Sequence, residues 1–283
     1  MTLGSLTPRR IALIAGTHMA AVVATRGAMA LWAPLREAQA DMWLRSAGAV
    51  PAYLCAFLLC RAIAADHARS PLLRLSWLLF SGDALMSILR FLLETPAIPA
   101  SGARNAISAT LISFGLLCMA SGMAATWWAL RQAPLGYRPL RQDYAMIALI
   151  ALALPFTLNA RYAAPAMWNP GAIAVSLLFA VAILMVLLGR MCIQMGTGVL
   201  SQVIRWIMTY MFIRCLQNVL IGLHEGYGMP VRTLVLLLQG GFPWIFAYAC
   251  ALRYALIVHF READPSMGGD ESSYGIRATV TGN

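Results

Sequence analysis

The sequence predicts an all-α polytopic membrane protein with eight transmembrane helices, and three observations carry that expectation. Of its 283 residues 60% are hydrophobic and only 11% are charged, with a mean hydropathy of +0.72, which is too few charges for the water-facing surface of a soluble domain of this size. Eight apolar runs follow one another, bounded by Arg, Pro, Gly or Asn as spanning helices are punctuated. Lipid leaves only helices and closed barrels as spanning structures, and runs close to the ~20 residues that a helix needs to cross select helices.

Taken in order, the first run covers residues 11–31. Its basic-then-apolar start resembles the order of a secretory signal, but the apolar stretch continues through Ala30 without a cleavage site, so it reads as the first spanning helix. A polar connection with Arg36, Glu37, Asp41 and Arg45 leads to the second run, 46–65. The third runs from Pro71 to Glu94 and carries Asp83 and Arg90 inside it; the fourth runs from Asn105 to Leu130. The remaining four are Tyr144 to Asn159, Gly171 to Gly189, Val199 to His224 and Val231 to Phe260, the last long enough to tilt or to break at Gly240, Gly241 and Pro243. Residues 266–283 are polar and rich in Gly and Ser, too poor in apolar side chains to fold alone, and are expected to form a mobile cytoplasmic tail.

The net charge of +10 comes from 21 basic residues that are all Arg, scattered at the ends of apolar runs rather than clustered. They read as topology signals and internal partners, not as a nucleic-acid surface. With no lysine, a lysine nucleophile, a retinal Schiff base and a Walker-type phosphate site are all excluded. Arginine is more frequent in the alternate short loops that share a side with the N-terminus, which predicts both termini in the cytoplasm of a bacterial cell, with the chain in the cytoplasmic membrane.

Six cysteines, at 55, 60, 118, 192, 215 and 250, lie within apolar runs without a CxxC pair or metal spacing, and read as small buried hydrophobes. Of the histidines only His18 is clearly intramembrane; it reads as a packed side chain, so neither a metal nor a haem is expected, nor any other cofactor.

Sliding the chain on itself by 131 positions places Arg74 over Arg205, Glu94 over Glu225 and Pro99 over Pro230, with Leu85, Leu89 and Leu92 over Leu216, Leu220 and Leu223. This register predicts two parallel four-helix repeats, 1–134 and 135–265, related about an axis along the membrane normal. The alternative is coincidence among helix-end residues, which are Arg, Trp and Pro in most membrane proteins.

Charges at membrane depth are costly and face a bundle interior or a wet cavity. In the third run Asp83, Ser87, Arg90 and Glu94 share one helical face, and in the seventh Arg214, Asn218 and Glu225 take the same offsets, with Gln217 beside them. Under the repeat Asp83 and Arg214 are equivalent positions of opposite charge. The expected axial cluster, lining a ligand pathway, is therefore Asp83, Ser87, Arg90, Arg214, Gln217 and Asn218. Outer ion pairs Arg26–Glu94 and Arg161–Glu225 are expected to close the two halves, against the alternative that the four side chains snorkel separately. Arg74 and Arg205, near the inner ends, are candidates for anion or lipid contacts.

Two function classes follow. One is a transporter or permease for a small, anionic solute that moves between the halves. The other is a noncatalytic sensor or subunit of a larger membrane assembly, in which the buried charges fix helix register and docking to a membrane protein partner. No HExxH, GxSxG or carboxylate-rich DxxxD pattern is present, so an enzyme is not expected.

Overall fold

The computed structural model describes residues 7–32, 37–67, 70–99, 101–132, 140–161, 170–196, 198–223 and 228–263, and its regular secondary structure there is helical throughout. The helices are α1 (Pro8–Trp32), α2 (Glu37–Asp66), α3 (Pro71–Leu93), α4 (Gly102–Gln132), α5 (Arg141–Arg161), α6 (Pro170–Gln194), α7 (Val199–Leu223) and α8 (Gly228–Ala263). Among the described residues five stretches are long and apolar enough to cross a bilayer: Met42–Asp66, Pro71–Leu93, Gly102–Gln132, Ala172–Gln194 and Leu238–Phe260. The protein is thus a helical, multi-pass integral membrane protein. The tail 266–283 lies outside the described residues.

Local chemistry sets the helix ends. Prolines stand at the first position of α1, α3 and α6, where no intrahelical N–H is needed. The Ser101 hydroxyl accepts the Arg104 N–H at 3.1 Å and so caps α4. Past α6, Gly196 takes φ +67°, a left-handed turn that glycine adopts without penalty.

Three boundaries differ from the sequence expectation. The polar connection before the second run is helical from Glu37, so that α2 passes unbroken through Pro51 to Asp66; its EAQA start is built from good helix formers, and polarity at a helix end does not stop a helix. The sixth helix runs past Gly189 to Gln194. The eighth does not break at Gly240, Gly241 or Pro243 but is one helix over 36 residues. A Cβ on Gly240 would stand 3.1 Å from His18 Nε2, and one on Gly241 3.1 Å from Met19 Sδ. These glycines let α1 approach α8 closely, which is a packing use of a small residue rather than a hinge.

α2 is central, packed on α3 and α8; α3 lies on α4, α4 on α6, α6 on α7 and α7 on α8, while α1 lies chiefly on α8 and α5 on α6. Inside, Tyr210 stacks on Phe246 (centroids 4.8 Å apart) and on Phe242 (5.4 Å), and Tyr53 stacks on Phe91 (6.0 Å). Outside, Leu85, Leu89 and Leu92 of α3, Phe114 and Leu117 of α4 and Leu149 and Leu152 of α5 are exposed. An outward apolar face of this kind suits lipid.

Candidate functional site

Asp83, with none of its surface exposed, and Arg214, with 6%, meet inside the bundle. Arg214 Nη1 stands 2.8 Å from Asp83 Oδ1 and 3.0 Å from Oδ2, so one cationic nitrogen spans the carboxylate. The same nitrogen is 2.9 Å from the Tyr210 hydroxyl, one helical turn back on α7. Tyr210 donates to Asp83 Oδ2 at 3.2 Å, and its oxygen lies 3.1 Å from the Tyr53 hydroxyl of α2. Since the Tyr210 proton is committed to Asp83, Tyr53 is the donor in the tyrosine pair. The result is a chain of hydroxyls ending on a carboxylate that one guanidinium neutralises, with Ser87 buried on the same face of α3.

Room for the pair comes from α4. A Cβ on Gly115 would lie 2.8 Å from Asp83 Oδ1 and 3.7 Å from Arg214 Nη2. Glycine at 115 therefore brings the α4 backbone against the ion pair and excludes a side chain that would pry it apart.

Gln217, on the same face of α7 as Arg214, is buried, and its Oε1 accepts no hydrogen bond among the described residues. The backbone of Asn218 is helical, but its side chain lies outside the described residues.

Arg90 does not join this cluster. Its Nε binds Glu94 Oε1 at 2.9 Å, four residues on in the same helix, and Glu94 Oε2 takes Arg45 Nη2 at 3.0 Å. The Ser108 hydroxyl of α4 also donates to Glu94, and Arg45 Nη1 reaches Gln239 Oε1 of α8 at 3.3 Å. Both guanidiniums lie over the Phe91 ring, at 5.6 Å for Arg45 and 5.2 Å for Arg90. An arginine side chain reaches further than a turn, and Arg90 reaches toward the helix end, where its charge is better solvated than at the bundle centre. Glu94 thus draws together α2, α3 and α4. The side chains of Arg26 and Arg161, and all of Glu225, lie outside the described residues, and the two expected pairings with them.

Of the inner arginines, Arg74 is exposed in the first turn of α3. Arg205 is also exposed but donates from Nη2 to the Gly196 carbonyl at 2.9 Å and to that of Cys192 at 3.4 Å. It thus holds the end of α6, where unsatisfied carbonyls and the negative pole of the helix favour a cation.

Further contacts fall on residues that the sequence did not single out as pairs. Arg190 of α6 grips Asp143 of α5 with Nε at 3.0 Å from Oδ2 and Nη2 at 3.0 Å from Oδ1. With the Leu140 N–H also donating at 2.7 Å, these bonds hold the Asp143 carboxyl below its usual range. At the end of α2, His67 Nδ1 donates to the Ile63 carbonyl at 2.8 Å, which leaves Nε2 to accept from Arg253 Nη2 of α8 at 3.0 Å. Burial, with Arg253 alongside, pushes the imidazole down to about 4. His18 packs over Gly48 and Gly240 with no hydrogen-bond partner for its Nε2 among the described residues. The thiols of Cys60 and Cys250 touch, with Sγ atoms 3.4 Å apart. Among the described residues no three His, Cys, Asp or Glu side chains gather as metal ligands would.

One signal for the missed tyrosine was present: Tyr210 lies four residues before Arg214 and shares its face. Tyr53, Arg45 and Gln239 carry no such signal, since only the packing of α2 and α8 brings them in. Compared with family models, with curated proteins and with solved structures, the chain matches none.

Proposed function

We propose that the protein is a transporter or permease for a small, anionic solute, whose path runs along the interface between two four-helix repeats, 1–134 and 135–265, in a bacterial cytoplasmic membrane with both termini in the cytoplasm. The observation that carries this reading is the Asp83–Arg214 pair, a buried charge pair that joins α3 to α7 at 2.8 Å. Isolated charges at this depth cost stability, and a pair replaced by apolar residues is often no less stable, so retention of both charges is better explained by work than by packing. The positions are 131 residues apart, the offset that superposes the halves. Equivalent positions of a twofold repeat can touch only where the axis passes between them. Helix neighbours agree with such an axis: α2 lies on α8 as α6 lies on α4. The placement of α1 on α8, with α5 on α6, departs from it.

The test is flux into liposomes for wild type, Asp83→Asn, and the swap that puts Arg at 83 and Asp at 214. Uptake lost in the single variant and recovered in the swap supports a pathway through the pair. Uptake that none of the three shows, with assembly intact, removes it.

A second reading has its own support. Asp83 accepts hydrogen bonds on both oxygens from Arg214 and Tyr210, and Gly115 closes behind it, as suits a register lock in a noncatalytic sensor or a subunit of a larger assembly. Purification with a membrane protein partner at fixed stoichiometry favours that reading.

A further inference from the structure

An anion reaching the Asp83–Arg214 pair meets a site that is already neutral, because the charge on Arg214 is matched by Asp83. Placing a second anion on the guanidinium leaves a net negative charge in a low-dielectric interior, which is strongly disfavoured. Neutrality returns only if a group in the site takes up a proton. Among the described residues the groups near the pair are Ser87 from α3, Tyr210 and Cys215 from α7, with Gln217 three residues on from Arg214, Tyr53 and Cys60 from α2, and Cys118 from α4, with α8 contributing the rings of Phe242 and Phe246. At neutral pH tyrosines and thiols already hold their protons, and arginine stays charged. Among the described residues near the pair, Asp83 alone offers an empty proton site.

We propose that Asp83 and Arg214 form a proton-coupled anion site: one proton binds the Asp83 carboxylate for the single negative charge that a monoanionic solute brings to Arg214. This rests on the transport reading above. The proton comes from water and ends as an O–H on Asp83; no bond of the solute breaks. Protonated Asp83 no longer competes as an anion for Arg214, whose guanidinium suits a carboxylate or phosphate bidentately. The Gln217 Oε1, buried and without a donor on the same face of α7, accepts a hydroxyl. The solute class is therefore a small monoanionic oxyanion that also carries an O–H, a hydroxymonocarboxylate or dihydrogen phosphate.

The experiment uses proteoliposomes of the full chain loaded with a pH-sensitive dye and given labelled lactate, glycolate or inorganic phosphate, with protein-free liposomes as the blank. Wild type is expected to take up at least one label and to acidify the interior in proportion. Uptake should rise about tenfold per pH unit of external acidification while Asp83 is mostly ionised. Asp83→Asn, neutral at every pH, should lose uptake when no potential is imposed, since each anion then moves uncompensated charge, and should carry the anion without acidification or pH dependence only when an inside-positive potential drives it. Wild-type uptake without acidification, or proton movement that persists in Asp83→Asn, overturns the coupling and leaves transport standing. No label entering above the blank removes the transport reading, and the coupling with it. Should Asp83→Asn fail to assemble, Asp83→Glu takes its place: it should keep acidification with a displaced pH profile, and a profile identical to wild type overturns the assignment.

Discussion

Asp83 of α3 and Arg214 of α7 hold each other at 2.8 Å inside the bundle, although 131 residues separate them in the chain. Removing either charge strands the other. Asp83→Asn or Arg214→Gln should each destabilise the protein by about 3–5 kcal/mol, read as a fall in its unfolding temperature in detergent. The double variant Asp83→Leu, Arg214→Met should recover most of that loss, because no unpaired charge remains. Losses that simply add in the double variant would show that the two side chains are not coupled.

Gly115 and Gly16 form a contrasting pair. A methyl at 115 intrudes on Asp83 Oδ1, whereas nothing lies within 4 Å of one at Gly16. Gly115→Ala should cost about 1–3 kcal/mol through overpacking. Gly16→Ala should be neutral or stabilise α1 by up to about 1 kcal/mol. Thermal unfolding of the two variants side by side checks the sign difference.

His67 makes a pH prediction. Its ordinary value of 6.5 falls to about 4 in the fold, because burial and Arg253 disfavour the imidazolium. The folded state therefore binds fewer protons than the unfolded state between these values, so stability falls as pH drops through that window. Above 6.5 both states are neutral and the contribution is complete. The total lost by pH 4 is roughly 3 kcal/mol. His67→Gln should flatten the decline; an unchanged profile of unfolding temperature between pH 7 and 4 in that variant would count against this origin.

Asp143 and Arg190 fasten α5 to α6 through paired hydrogen bonds in a fork geometry. Asp143→Ala should cost about 1–3 kcal/mol. Arg190→Lys should rescue little of the contact, since an ammonium cannot reproduce the fork. Hydrogen exchange at the start of α5 should speed up in both variants. Equal protection in Arg190→Lys and wild type would mean that charge alone suffices.

The membrane class and the helical fold were legible in the sequence, because lipid leaves only helices and closed barrels to satisfy the backbone, and apolar runs of this length select helices. The boundaries were less so. At Gly240 and Gly241 a hinge and a close helix contact have the same sequence signature, and only the position of His18 and Met19 separates them.

Sequence alone placed charges inside the apolar stretches that form α3 and α7, and it named Asp83 and Arg214 as a pair, since helical spacing and one long offset are properties of the chain itself. Tertiary structure decided the remaining partners: Arg90 with Glu94 rather than at the axis, Arg45 on Glu94, Tyr53 on Tyr210, Arg253 on His67, and Arg205 on the end of α6. Partner choice depends on how far each helix is rotated about its axis and at what depth it meets its neighbour. Hydropathy does not report that rotation in a membrane protein, because lipid and protein interior are about equally apolar. Leu85, Leu89 and Leu92, as apolar as the buried Phe80 and Phe91 of the same helix, face outward in the fold.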